Sequence, residues 1–218
     1  MHSPHAIREH MSLGRHTGRG YERERIVAEV LLGAIDTPSG SNLLVADDAY
    51  QFVFDGLQSH MDSLSQYWRV ASESHGAAAW PSGGPYDAAT LRLSKDKGAF
   101  EMTLHALASV LKPNAPLWVY GANDEGIKSA GKKLSSLFHG VEAIDTRRHC
   151  RVIRGVRKET PDDLRPVLTD WVQEVALDHQ DGPISHRVYP GIFAKGQLDP
   201  ATRLLLEAIP DPNPECRV

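Results

Sequence analysis

Apolar residues recur at helical spacing in several segments, and short continuous apolar runs stand between those segments. Between Tyr21 and Gly33, apolar residues three and four positions apart lie opposite charged residues, which predicts an amphipathic helix. The run from Leu43 to Ala46 predicts a strand that a pair of aspartates ends. A helical pattern through Leu57 follows, so the pattern predicts strand, turn and helix in that order.

The same succession returns in the middle of the chain. The segment YWRVAS, residues 67–72, predicts a second strand, and YDAATLRL, residues 86–93, predicts a third. Apolar positions between Phe100 and Leu111 have three- and four-residue spacing, which predicts a helix that Pro113 terminates. The run from Leu117 to Tyr120 predicts another strand, and a glycine turn and a further helix follow it.

This alternation of strands and helices predicts the fold class. Strands separated by helices of about ten to fifteen residues form parallel sheets through right-handed crossovers. We therefore expect an α/β fold, a degenerate Rossmann-like doubly wound sheet over residues 21–160, whose last part is an extended region. Residues 1–20 lack periodicity and predict a mobile tail. The pattern changes over residues 161–218, which predicts a linker and the entry segment of a second α/β domain.

A cofactor loop is missing from the position where such a sheet ordinarily has one. The ligand crevice lies at the switch point of the sheet, yet residues 46–56, ADDAYQFVFDG, have no glycine before the helix. The later turn GANDEG, residues 121–126, precedes a helix and could receive an anion, but its acidic pair would repel a pyrophosphate. We interpret it as a turn that Gly121 and Asn123 make, with Asp124 or Glu125 capping the helix.

Charge is distributed unevenly along the chain. The total is 24 basic against 28 acidic residues, a net charge of -4, which by itself argues against a nucleic-acid partner. Residues 90–160, however, contain 13 basic and 7 acidic residues, whereas residues 1–89 contain 6 and 11. Such asymmetry can mark a surface that faces a polyanion.

A basic cluster lies in the last part of this middle region. Its candidate RNA-binding residues are Lys128, Lys132, Arg147, Arg148, Arg151 and Arg154. They could neutralise several phosphates of an RNA, or they could be a solvated strand edge that basic side chains protect from aggregation. Both interpretations stay open, and no catalytic role is predicted for the adjacent His149 and Cys150, which lack a carboxylate at nucleophile spacing.

Cysteine, histidine and hydropathy patterns restrict the class of protein further. Two cysteines, Cys150 and Cys216, are too few for a disulfide framework and predict reduced thiols, while the eleven histidines form no metal-ligand pattern. No apolar run approaches the roughly 20 residues of a membrane span, and the N-terminus lacks the apolar stretch of a secretory signal. We therefore predict a cytoplasmic protein with no metal and no membrane association.

Two pieces of sequence together resemble a known family. One is the succession of strand, lysine-bearing helix, strand and glycine turn, with Lys95, Lys97, Gly121, Asn123 and Gly126; the other is PGIFAKGQLDPATRLLL, with Pro190, Gly191, Phe193, Leu198, Asp199 and the Leu204–Leu206 run. Across residues 86–210 the chain resembles the two-domain bacterial rRNA guanine-N2 methyltransferases of the small-subunit type, members of the methyltransferase small domain family.

The resemblance implies a function for a complete enzyme. In that family a degenerate N-terminal domain with a class I methyltransferase-like fold precedes a catalytic domain that binds S-adenosylmethionine. Gly191, Phe193 and Asp199 would border the cofactor pocket, although a helix cap before Pro200 is an alternative role for Asp199. The family's glycine-rich cofactor loop and its NPP-type catalytic motif do not occur in this sequence. We therefore expect no catalytic residue here and no cofactor bound by this chain alone.

The resemblance also implies the partners of the chain. We expect an N-terminal half that positions ribosomal RNA, with the missing catalytic half in cis or on another chain. The apolar face of the last helix would then be exposed and could allow self-association. The alternative is a stand-alone RNA-binding or adaptor protein derived from that family. A nicotinamide-dependent oxidoreductase would share the fold pattern, but the missing early glycine loop counts against it.

Overall fold

A computed structural model describes residues 18–36, 41–61, 63–70, 76–177, 182–192, 197 and 199–208. These residues form a central sheet covered by helices on both faces, followed by a small hairpin and a last helix. The helices of the described residues are α1 (Arg19–Leu32), α2 (Phe52–Gln58), α3 (Lys97–Val110), α4 (Ile127–Leu134) and α5 (Pro200–Ala208). The strands are β1 (Asn42–Ala46), β2 (Ser63–Tyr67), β3 (Ala88–Arg92), β4 (Pro116–Ala122), β5 (Phe138–Arg147), β6 (Cys150–Arg157), β7 (Gln173–Leu177) and β8 (Ile184–Val188).

The sheet has the strand order β2-β1-β3-β4-β6-β5. The first four of these strands pair in parallel, and their carboxyl ends therefore meet along one edge. Strand β6 runs antiparallel to both β4 and β5, and β7 and β8 form a separate antiparallel pair. The predicted α/β fold with a doubly wound, mainly parallel sheet is confirmed.

Two apolar cores lie on opposite faces of the sheet. One contains Leu104 and Leu107 of α3 and Leu134 of α4, and the other contains Val27 and Leu31 of α1 with the inner face of α2. Strand β3 is buried along its whole length, because helices cover it on both sides. Each fully buried leucine stabilises the fold by roughly 1.5 to 3 kcal/mol relative to an exposed one.

The second predicted strand is wrong in position. The strand is Ser63–Tyr67, which precedes most of the predicted segment 67–72. It is an edge strand that pairs only with β1, so its side chains need not be apolar. Trp68 and Arg69 have left the strand, and the Arg69 amide donates to the Asp47 carboxylate at 3.1 Å.

The last extended region is an antiparallel hairpin, which differs from the parallel pairing expected for the whole sheet. Its turn residues Arg148 and His149 have φ values of 50° and 58°, the left-handed pair that two-residue hairpins use. Such turns usually contain Asn-Gly or Asp-Gly, so Arg-His gave no sequence signal for the reversal.

The segment after β6 packs on α3. The Arg165 amide donates to Nδ1 of His105 at 3.0 Å, and the Trp171 ring meets the His105 ring edge to face at 5.0 Å between centroids. The Arg165 guanidinium lies 4.9 Å from the centroid of the Trp171 ring. These contacts place the start of β7 beside α3, and they bring the β7–β8 hairpin toward the carboxyl edge of the main sheet.

Candidate nucleic-acid interface

The turn after β1 is closed by Asp48. Its side chain is 5% exposed, and one carboxylate oxygen accepts hydrogen bonds from the Val53 and Phe54 amides at 2.9 and 3.0 Å. Burial raises the pKa of Asp48 to about 6, although the hydrogen bonds from these two amides oppose the shift. At the position where a nucleotide-binding sheet has its glycine loop, this chain therefore fixes the start of α2.

Arg92 occupies the carboxyl edge beside this turn. Its Nε and Nη2 donate to the two carboxylate oxygens of Glu24 at 2.7 and 2.8 Å, and Nη2 also donates to Glu125 at 2.7 Å. Burial opposes the charge of Arg92, but the hydrogen bonds and charges of the two glutamates outweigh burial and raise the pKa of Arg92. The network joins the end of β3 to α1 and to the turn after β4.

Several charged groups that line this edge are paired with one another. A cleft of about 410 Å³ borders the network, and its charged lining contains both signs: Arg19, Arg23, Glu24, Asp47, Arg92, Lys95 and Glu125. Arg92 pairs with Glu24 and Glu125 in this lining, so these three groups are already bound to one another where a cofactor would need free donors and acceptors. No glycine stands between β1 and the start of α2, where it would let a ligand approach the backbone closely.

The turn GANDEG has a structural role. Gly121 lies within β4, so the prediction that it makes the turn is wrong, whereas Asn123 does lie in the turn after the strand. A Cβ at Gly121 would stand 3.0 Å from Arg92 Nη1. Gly126 takes the left-handed conformation with φ of 92°. The Glu125 carboxylate accepts from the Ala122 amide at 3.0 Å, and Asp124 pairs with Arg23 at 2.7 Å. Both acidic residues of the turn are therefore already bound to groups within the chain.

The predicted basic cluster is divided between the two faces of the sheet. Arg147 and Arg154 share a face with Cys150, which belongs to the core beneath α1, because side chains alternate along a strand. Arg151 points to the opposite face, where α4 carries Lys128 and Lys132. Sequence proximity therefore did not produce one continuous patch.

Carboxylates accompany the arginines on the α1 face. Arg148 pairs with Glu29 of α1 at 2.6 Å. Arg147 pairs with Asp145 at 3.0 Å, and Arg154 lies 3.8 Å from Glu142. Lys128 and Lys132, in contrast, make no ion pair with any residue that the structure describes.

A second cleft, of about 230 Å³, lies between the start of α3 and α4. Its basic lining residues are Lys95, Lys97, Lys132 and Lys133, and Leu93, Phe100 and Ala130 supply apolar surface. Glu125 is a carboxylate of this lining, and Arg92 already neutralises it. This lysine cleft combines residues from three elements of the fold, and no sequence pattern brings Lys132 next to Lys95.

The predicted cofactor-site residues lie at the end of the described chain. Gly191 has φ of 85°, and a Cβ there would come within 2.7 Å of Ala99 Cβ. Phe193 lies outside the described residues. Asp199 accepts hydrogen bonds from the Ala201 and Thr202 amides at 3.0 and 3.2 Å, as a helix cap does. The Thr202 hydroxyl also donates to Asp199 and, as the largest cause, lowers the pKa of that carboxyl.

The described residues contain no group of three or more His, Cys, Asp or Glu side chains placed to hold a metal ion. Among them, no helix combines the length and the apolarity that a membrane crossing requires.

Comparison with known proteins identifies the relatives of this chain. A ribosomal RNA small subunit methyltransferase C from Pseudoalteromonas atlantica is 38% identical over 134 residues, which are 61% of this chain and 38% of the relative. The enzyme of the same name from Pseudomonas fluorescens is 33% identical over 186 residues, 83% of this chain and 54% of the relative. The chain thus spans about half, or less, of the length of these relatives.

A solved structure confirms the fold. The T. thermophilus 16S rRNA N2 methyltransferase, solved with AdoMet and guanosine, has a TM-score of 0.70 at 20% identity and covers 87% of this chain, which in turn covers 52% of that enzyme. The sequence profile of the family described as methyltransferase small domain N-terminal matches residues 29–175. The chain therefore belongs to the methyltransferase small domain N-terminal family.

Proposed function

We propose that this chain is the N-terminal, substrate-positioning part of an S-adenosylmethionine-dependent rRNA guanine-N2 methyltransferase, and that it does not transfer a methyl group by itself. The observation that supports this most strongly is the carboxyl edge of the sheet. There Asp48 closes the turn after β1, at the position of the glycine loop of a nucleotide-binding sheet, and the Arg92 network lines the adjoining cleft, in a chain whose relatives are named rRNA methyltransferases. A cytoplasmic location is part of this proposal.

The proposed division of work leaves binding and orientation to this chain. Residues 18–160 would hold ribosomal RNA so that a guanine amine reaches the cofactor of a catalytic half, in cis or on another chain. Catalysis of this type depends mainly on positioning. S-adenosylmethionine would be bound in the complete enzyme, with the segment from Gly191 to Asp199 at the border of its pocket.

The last part of the chain would serve as the connection. Residues 161–218 are proposed as linker and entry segment of the catalytic domain, anchored to α3 through Trp171. Leu204 and Leu205 of α5 are 65% and 60% exposed. We expect them to pack on the catalytic half in the complete enzyme and to allow weak self-association in its absence, which sedimentation of the chain would detect as a concentration-dependent mass.

The proposed RNA contacts include both predicted groups. Lys128, Lys132 and Arg151 on the α4 face have no ion pair with any described residue, so their charges are available to phosphates. Phosphates could bind the other group only after they displaced the carboxylates that already contact Arg147, Arg148 and Arg154. The α4 face is therefore the better supported surface.

Two titrations of the 218-residue chain test this proposal. In the first, a fluorescein-labelled fragment of small-subunit rRNA is titrated with the chain at low salt, and we expect saturable binding that weakens as salt rises. In the second, S-adenosylmethionine is titrated into the chain in a calorimeter, and we expect no binding heat. Tight cofactor binding by the chain, or no RNA binding, would contradict the proposal.

A further inference from the structure

Three unpaired lysines of the described chain converge on the lysine cleft. Lys95 follows β3, Lys97 begins α3 and Lys132 lies on α4, so three separate elements deliver ammonium groups to one concave surface. All three side chains are exposed, and none makes an ion pair with a described residue. Lys133 also lines the cleft, but it pairs with Glu101 on α3.

The carboxylates near these lysines are already bound. Asp96 accepts a hydrogen bond from the Ala99 amide at 2.7 Å as the N-cap of α3. Glu125 is held by Arg92 at 2.7 Å and by the Ala122 amide at 3.0 Å. An anion that entered the cleft would therefore meet positive charges without displacing an internal ion pair.

A third cleft extends the surface beyond Lys95 and Lys97. These two lysines also line a cleft of about 440 Å³ whose far wall is formed by Gln173, Val188, Tyr189, Pro190 and Gly191. The two clefts therefore adjoin at Lys95 and Lys97. A path lined first by cations and then by an aromatic and a proline ring suits a single strand of nucleic acid, because such strands bind through phosphate contacts and base stacking.

We infer that the lysine cleft binds the sugar-phosphate backbone of single-stranded RNA, with Lys95, Lys97 and Lys132 as the phosphate contacts. This inference rests on the proposed function and deepens it, since it assigns the RNA to a surface that contains one residue of the predicted basic cluster and leaves out its arginines. Lys95 and Lys97 line both clefts, so they are the central contacts. The arginines of the β5–β6 hairpin are not required, because acidic partners neutralise three of them.

The expected loss of RNA affinity, and its dependence on salt, follow from counterion release. Each phosphate contact on a single strand contributes about 0.7 to the slope of log affinity against log salt, so three lysines contribute about 2. At about 100 mM salt this corresponds to a loss of roughly fivefold in affinity for each lysine removed.

The experiment compares three triple variants of the full chain in binding a fluorescein-labelled RNA of about 20 nucleotides, between about 50 and 200 mM KCl. The first variant is Lys95→Gln, Lys97→Gln, Lys132→Gln. The second removes the paired arginines through Arg147→Gln, Arg148→Gln and Arg154→Gln. The third is a control with the same loss of charge away from the cleft, Arg25→Gln, Lys112→Gln, Lys158→Gln. Urea unfolding of each variant verifies that it is folded.

We expect the first variant to lose about 2 from the salt slope and on the order of 100-fold in affinity, with much smaller losses in the other two. If the original chain binds RNA but the arginine variant alone weakens, or all three weaken equally, the lysine cleft is refuted while the proposed function stands. If the original chain binds no RNA at all, both are refuted.

Discussion

Asp48 offers a test of the structure at the position of the absent cofactor loop. The perturbation is Asp48→Asn, which removes the negative charge but keeps an oxygen that can accept from the Val53 and Phe54 amides. The substitution preserves the size of the side chain, so the start of α2 should remain in place. The consequence is then electrostatic, because the buried carboxylate is costly only when it is ionised.

The expected magnitude follows from the pKa of Asp48, which burial raises from 3.8 to about 6. A shift of this size corresponds to about 3 kcal/mol between the two protonation states. Since the folded pKa lies above the unfolded one, this contribution to stability is complete below about pH 3.8 and is lost as the pH rises through 6. The variant avoids the loss and should exceed the original chain in stability by up to about 3 kcal/mol at pH 8.

The assay is urea unfolding of both proteins at a series of pH values between about 4 and 8. The stability difference should be near zero at the acidic end and should grow in favour of the variant as the pH rises. Asp55→Asn is the matched control, because Asp55 lies exposed on the same helix; its effect should stay below about 1 kcal/mol. A difference for Asp48→Asn that is constant with pH would refute the argument.

Two further predictions concern other buried groups. Arg92→Met removes the nearer and more deeply buried of the two arginines that pair with the Glu125 carboxylate, and it should lower the free energy of unfolding by about 3 to 5 kcal/mol. Arg154→Met at an exposed pair should cost less than about 1 kcal/mol, and equal losses in urea unfolding would count against the buried network. Burial lowers the pKa of His105 below its ordinary 6.5. The contribution of neutral His105 to the stability of the fold is therefore complete above pH 6.5 and is lost as the pH falls through the lowered pKa. The Arg165 amide, which donates to Nδ1 of His105, should lose hydrogen-exchange protection as the pH falls and His105 becomes protonated, and no loss would contradict this assignment.

Hydrophobic periodicity predicted most of the fold. The helices α1 and α3 and the strands β1, β3 and β4 match the predicted segments, because each buries an apolar face or is buried on both sides. Strand β2 was predicted at the wrong position, because an edge strand is held by backbone pairing and the sequence of this one, SLSQY, has no strong hydrophobic pattern. The β5–β6 reversal escaped prediction because its turn has Arg-His where a glycine signal would be expected.

The candidate site was less accessible to sequence reasoning. Clustering of arginines along residues 147–154 suggested one basic surface, but strand alternation separates Arg151 from its neighbours in sequence. The lysine cleft depends on residues far apart in sequence, such as Lys95 and Lys132, which come together only because α3 and α4 pack on the same face of the sheet. The burial of Arg92 was also unforeseen, because an arginine within a strand gives no sign of Glu24 as its partner.

The most direct test of the central claim is methyl transfer by a chimera. This chain would replace the matching part of the Pseudomonas fluorescens relative, and incorporation of labelled methyl groups from S-adenosylmethionine into small-subunit rRNA would be measured for the chimera and for the chain alone. We predict that the chimera modifies a guanine of the rRNA and that the isolated chain modifies none. Methyl transfer by the isolated chain, or a folded chimera that binds no rRNA, would contradict the account.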